Sequence, residues 1–181
     1  MNKKINFIFC LLASAGLVLV LYIAFHEFGH MIVMLSAGST IDDFSILGAH
    51  VSAHGGEYTI ISDMWLHANG TIFPLIAAFL YLAFYRRERN NTFYRVFSFL
   101  IGLIPICTLL VWVFIPIAFM NDHAPVGEDV TNFLLSFSQI GSPLIVSAAA
   151  VLLIGIGAAL MTGKGVLKNY ILEIKGQSKK E

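Results

Sequence analysis

From Ile5 to Leu35 the chain carries a single charged side chain, Glu27. That run is longer than the roughly 20 residues an α-helix needs to cross a bilayer. Three more apolar stretches follow: about Ile72 to Tyr85, with a start as early as Met64; Phe93 to Phe119; and Phe133 to Met161, interrupted at Gly141-Ser142-Pro143. The interruption predicts a kink, or a short helix followed by a separate span. Over its 181 residues the chain is 57% hydrophobic and 12% charged, with a mean hydropathy of +0.80. These values predict an α-helical integral membrane protein of about four transmembrane spans, the last one broken.

The basic residues set the expected orientation. Lys and Arg occur only at Lys3 and Lys4, at Arg86, Arg87, Arg89 and Arg95, and at Lys164, Lys168, Lys175, Lys179 and Lys180. Four crossings bring all three groups to one side, which the positive-inside rule makes cytoplasmic. Both termini are therefore expected in the cytoplasm, in a multi-pass protein of the cell membrane. The start, Met1-Asn2-Lys3-Lys4 before an apolar run, resembles a secretory signal, and Ala13-Ser14-Ala15 resembles its cleavage site. The run continues about twenty residues further, which favours an uncleaved signal anchor. Zero net charge gives nucleic-acid binding no electrostatic support. Cys10 and Cys107 sit in apolar runs and read as small hydrophobic fillers. The expected organisation is one membrane domain, residues 1–181, with a membrane-surface β loop at 37–63 and a cytoplasmic basic tail at 164–181. The pattern sets no oligomeric state.

Within the β loop, Phe44-Ser45-Ile46-Leu47 and Tyr58-Thr59-Ile60-Ile61 have strand-like composition, and His54-Gly55-Gly56-Glu57 between them suits a turn. A short hairpin or small sheet is expected in this first non-cytoplasmic loop.

The chemistry concentrates at His26-Glu27-Phe28-Gly29-His30, inside the first apolar run. Histidines four apart share a helical face, so both imidazoles can reach one metal ion, and the glutamate between them can take a proton from water. Ionisable groups at membrane depth are costly and mark function. A catalytic zinc site needs a third protein ligand that leaves one position open. At about 1.5 Å per residue, His26 lies roughly 30 Å along its helix from Ile5, in the half of the bilayer away from the cytoplasm. The fourth stretch begins on that same side, at Gly127-Glu128-Asp129-Val130-Thr131-Asn132. Asp129 is the expected ligand, and Asn132, on the same helical face, is a candidate to orient a ligand or to contact a substrate carbonyl or oxyanion. Asp129 also suits a helix N-terminus. Glu128 is the alternative ligand; Asp122 and His123 lie further into the loop. His50, His54 and His67 lie on the same side and read as surface or hairpin histidines, with an inhibitory or accessory ligand as the alternative. Asn69, at the entry of the second span, reads as a turn, a cap, or a substrate or oxyanion contact.

Taken in order, these residues resemble the site-2 protease family of intramembrane zinc metalloproteases. His26-Glu27-Phe28-Gly29-His30 fits the family's metal motif, and Gly38 to Ile60 its membrane-associated β-rich loop. Ala68-Asn69-Gly70 with Pro74 fits the entry to its next helix, and Asp129 its aspartate ligand. Gly127 to Asn132 stands where the family has an Asn-Pro-x-x-Asp-Gly surround, as in a small, divergent member. The resemblance implies Zn²⁺ held by His26, His30 and Asp129, Glu27 as base, and a transmembrane protein as substrate within the lipid bilayer. Two other readings compete. One is a different membrane metallopeptidase, acting on loops or peptides, with Glu128 as third ligand. The other is a non-enzymatic metal-handling or transport protein.

Overall fold

The computed structural model describes residues 3–178. In chain order its elements are α1 (Lys3–Ser36), β1 (Ser39–Ser45), β2 (His50–Gly55), α2 (Ile60–Ala83), α3 (Thr92–Phe119), α4 (Asp129–Phe137), α5 (Pro143–Gly163) and α6 (Val166–Ser178). Four helices, α1, α2, α3 and α5, are long and apolar enough to cross a membrane. A small two-stranded antiparallel sheet, β1 with β2, joins the first two. The fourth apolar stretch resolves into a short helix and a separate long one. α4 has nine residues, too few to cross, and α5 restarts at Pro143, where a missing N–H costs nothing.

Helices in lipid gain little from the hydrophobic effect and associate by close packing and interhelical hydrogen bonds. The bundle shows both. Leu82, Leu134, Val96 and Val166 are fully buried. Gly102 lies against Leu82 and Met161, and Gly157 against Ile106, so α3 and α5 approach where side chains are smallest. Trp112 donates its indole N–H to Thr71 Oγ1 at 3.0 Å, tying α3 to α2.

The sheet departs from the expected one. β1 pairs with β2 from Ser39↔Gly55 to Ser45↔His50, with a bulge between Ile41 and Asp43. The hairpin turn is therefore 46–49, where Ser45 Oγ accepts from the Gly48 N–H at 2.9 Å. His54 to Glu57 is not that turn. Gly55 ends β2, and Gly55 and Gly56 have φ of 73° and 80°, a left-handed pair that redirects the chain into α2. Tyr58 to Ile61 is not a strand either. Thr59 caps α2: its hydroxyl accepts from the Ser62 N–H at 3.1 Å, and Ser62 Oγ accepts from the Thr59 N–H at 2.8 Å. The β-branched Ile60 and Ile61 open a helix that starts well before Ile72.

Within the expected tail, Val166–Ser178 forms the helix α6. α6 folds back on the bundle: Tyr170 stacks on Phe99 with centroids 3.8 Å apart and lies 6.4 Å from the Phe7 ring. Arg95 Nη1 meets Glu173 Oε1 at 2.7 Å, and Asn169 donates to Tyr85 Oη and to the Arg87 carbonyl. These contacts gather the start of α1, the 84–91 loop and α6 at one end of the bundle. Lys179 and Lys180 lie outside the described residues. The hairpin and the 120–128 loop occupy the other end, with the His26 motif.

Candidate metal centre

His26 and His30 stand one turn apart near the C-terminal end of α1. Their Nε2 atoms are 3.1 Å apart. Asp129 Oδ2, from the first residue of α4, lies 3.3 Å from His26 Nε2 and 3.2 Å from His30 Nε2. Three ligand atoms thus form a nearly equilateral triangle. Tetrahedral coordination with metal–ligand bonds of about 2.0–2.1 Å separates ligand atoms by about 3.3–3.4 Å. The triangle is close to the size that three ligands of a tetrahedral metal ion require. Among the described residues, this is the group of three that could hold a metal ion.

The surroundings orient the ligands. His30 Nδ1 donates to the Leu66 carbonyl at 2.7 Å, which fixes the ring with Nε2 facing the triangle. His26 Nδ1 is buried without a hydrogen-bond partner. Burial alone pushes the Asp129 carboxyl up, but hydrogen bonds with His26, His30 and His67 outweigh it and hold that group well below the usual carboxylate range.

Two glycines make room. A Cβ at Gly70 would overlap His30 Nε2 and lie 2.8 Å from His26 Cε1. A Cβ at Gly29 would run into the backbone of Asn69. α1 and α2 therefore touch along the face that presents the histidines, and Asn69 fastens the contact by donating its side-chain amide to the Gly29 carbonyl at 2.8 Å.

The triangle sits in an open cleft of about 400 Å³. Glu27, only 5% exposed, lines it from α1; Leu66 and His67 line it from α2, and Ala49, His50 and Val51 from the hairpin. The remaining residues singled out from sequence fall elsewhere. Glu128 is the exposed N-cap residue of α4 and makes no side-chain cap bond. Asn132 is half-buried on α4, outside the cleft lining, and Asn69 serves the α1–α2 contact. Asp122 and His123 stay in the exposed loop. His50 and His54 lie on β2, each paired with its own aspartate: His50 Nε2 with Asp43 Oδ2 at 2.7 Å, His54 Nδ1 with Asp42 Oδ1 at 2.6 Å.

His67 is the correction among the histidines. It is neither on the hairpin nor an isolated surface group: it is on α2, inside the cleft lining, with Nδ1 3.4 Å from Asp129 Oδ1. Its spacing from Asp63, four residues earlier on one apolar-flanked stretch, was the available signal. Gly70 carried none, because its role exists only once α2 packs on α1. No family model, curated protein or solved structure matches the chain, so the functional reading rests on the residues of this cleft.

Proposed function

We propose that this chain is an intramembrane zinc metalloprotease of the site-2 protease kind, hydrolysing a peptide bond within or near a transmembrane segment of another membrane protein. The observation that carries the reading is the triangle of His26 Nε2, His30 Nε2 and Asp129 Oδ2, with sides of 3.1–3.3 Å and Glu27 in the same cleft. Two nitrogen ligands and one carboxylate are a catalytic zinc set, leaving a position for water.

His26, His30 and Asp129 would hold the ion. Bound zinc supplies Lewis-acid chemistry, activating water and stabilising developing negative charge. Glu27 takes the proton from the attacking water and returns it to the departing amine. Its burial beside the histidines limits competing solvent. A cleft of about 400 Å³ suits a short unwound segment. A substrate helix must open locally, because its own hydrogen bonds occupy the scissile carbonyl. The hairpin has an unpaired edge on each strand, and an extended segment can add to such an edge. By the positive-inside rule, the end carrying Arg86, Arg87, Arg89 and α6 faces the cytoplasm, with both termini, and the cleft opens toward the other side.

The test pairs metal analysis with cleavage of a reporter transmembrane substrate in reconstituted vesicles. Wild type should carry about one zinc per chain. Glu27→Gln should keep the zinc and lose cleavage; His26→Ala should lose both. Glu27→Gln protein that still cleaves, or still performs a metal-dependent transport, would set the protease reading aside.

A further inference from the structure

Asp129 is the ligand with the least local support. His26 and His30 belong to a 34-residue helix, whereas Asp129 opens a helix of nine residues, directly after an exposed loop. Gly127, two residues earlier, has a φ of 83°, and the N-cap Glu128 contributes no side-chain cap bond. Nothing within α4 fixes where its first residue points.

What α4 packs against does. Val130 and Leu134, 3% and 0% exposed, form the apolar part of its buried face. Two polar contacts run from α4 to a single turn of α2. At the start of α4, His67 Nδ1 lies 3.4 Å from Asp129 Oδ1. Two turns later, Ser136 Oγ donates to Asp63 Oδ2 at 2.5 Å. The two α2 residues face each other as well, with His67 Nε2 3.8 Å from Asp63 Oδ1. The carboxylate is therefore divided between two tasks. Oδ2 faces His26 and His30; Oδ1 is taken by His67.

We propose that His67, backed by Asp63 and its hold on Ser136, is a positioning group that sets the orientation of Asp129 and so tunes the affinity of the metal centre. The inference rests on the metal reading above. An outer partner on the far oxygen of a ligating carboxylate stops it from rotating to another binding mode, and removing such partners typically costs about 10–100-fold in metal affinity.

The experiment measures Zn²⁺ affinity of the full chain in detergent by competition with a chromogenic chelator, beside thermal unfolding of the metal-free protein. His67→Phe fills the space and removes the ring nitrogens; it should weaken Zn²⁺ binding about 10–100-fold, while metal-free unfolding shifts little. His67→Gln keeps an N–H within reach of Asp129 and should recover part of the loss. Asp63→Asn should weaken binding less than His67→Phe. In an Asp129→Ala background, His67→Phe should cost nothing further. Wild-type affinity in His67→Phe, or losses that add in the double variant, would overturn the inference while leaving the metal centre standing. If His67→Phe does not fold, His67→Gln and Asp63→Asn decide: wild-type affinity in both overturns it. A wild-type chain that binds no Zn²⁺ overturns the metal reading itself.

Discussion

The two ends of the bundle both bury polar groups, and they do it in opposite ways. At the basic end, donors meet acceptors. Arg95 pairs with Glu173, whose other oxygen accepts from Thr92; Asn169 donates to Tyr85 and to a carbonyl; Tyr81 Oη lies 2.7 Å from Ser98 Oγ. Such a network is complete as it stands, and complete networks fix structure. At the other end, two imidazole nitrogens and a carboxylate oxygen converge on one point, and the buried His26 Nδ1 has no partner. Such a group could hold a metal ion. The contrast separates polar residues that hold the bundle together from polar residues held in place by it.

The comparison breaks most readily at the metal end. Glu27→Gln should lower cleavage by about 10²–10⁴-fold, the usual contribution of a positioned base, with zinc content unchanged. Asp129→Asn keeps the size of the side chain but removes the charge. It should lose zinc and cleavage together; an active Asp129→Asn enzyme beside a dead Glu128→Gln enzyme would move the ligand role to Glu128. Gly70→Ala adds one methyl group where both imidazoles already lie, so most of the bound zinc should be lost although no ligand is altered. Full zinc content in Gly70→Ala would mean that α1 and α2 do not approach as described.

At the basic end the expected effect is on stability alone. The side chains of Arg95 and Glu173 are 13% and 14% exposed. Glu173→Gln leaves the guanidinium short of its counter-charge and should cost about 1–3 kcal/mol, read as a lower unfolding midpoint in detergent. Zinc affinity should stay at the wild-type value. A loss of zinc in Glu173→Gln would show that the two ends are coupled and that the division drawn between them is wrong.

What the sequence made legible follows the same division. His26, Glu27 and His30 are local: a helix period aligns them, so five residues suffice. Asp129 is about a hundred residues away and was reachable because span count and charge placement fix which loops share a side. The apolar runs mark two helices, α1 and α3, nearly to the residue, and Gly141-Ser142-Pro143 marks the break between α4 and α5. The failures come where local composition and tertiary context disagree. Tyr58 to Ile61 is β-branched and strand-like, yet the reciprocal Thr59–Ser62 cap and the apolar stretch beyond make it a helix start. β2, with His50, Ser52 and His54, is too polar to announce itself; it forms because β1 lies beside it. α6 reads as a charged tail until Tyr170 and Glu173 find Phe99 and Arg95 across the bundle. His67, Asp63 and Gly70 acquire meaning only when α2 is laid on α1 and α4.

The smallest expected effect belongs to the hairpin that overhangs the cleft, where the pairing of opposite charges is local and exposed. The hydrogen bond to Asp43 raises the His50 pKa above its ordinary value, with Glu27 adding a minor contribution of the same sign. A histidine whose folded-state pKa is raised contributes stability that is fully present below its unfolded pKa of about 6.5. That contribution disappears as pH climbs through the raised folded-state value. The hairpin should therefore be better protected at pH 6 than at pH 9. Amide exchange along β1 and β2, corrected for the intrinsic dependence of exchange on pH, measures this directly. Asp43→Asn removes the carboxylate and should flatten the dependence, leaving zinc affinity unchanged because neither residue belongs to the triangle. A slope that survives in Asp43→Asn would assign it to another group. A zinc affinity that falls with Asp43→Asn would place the hairpin inside the metal-end network rather than over it.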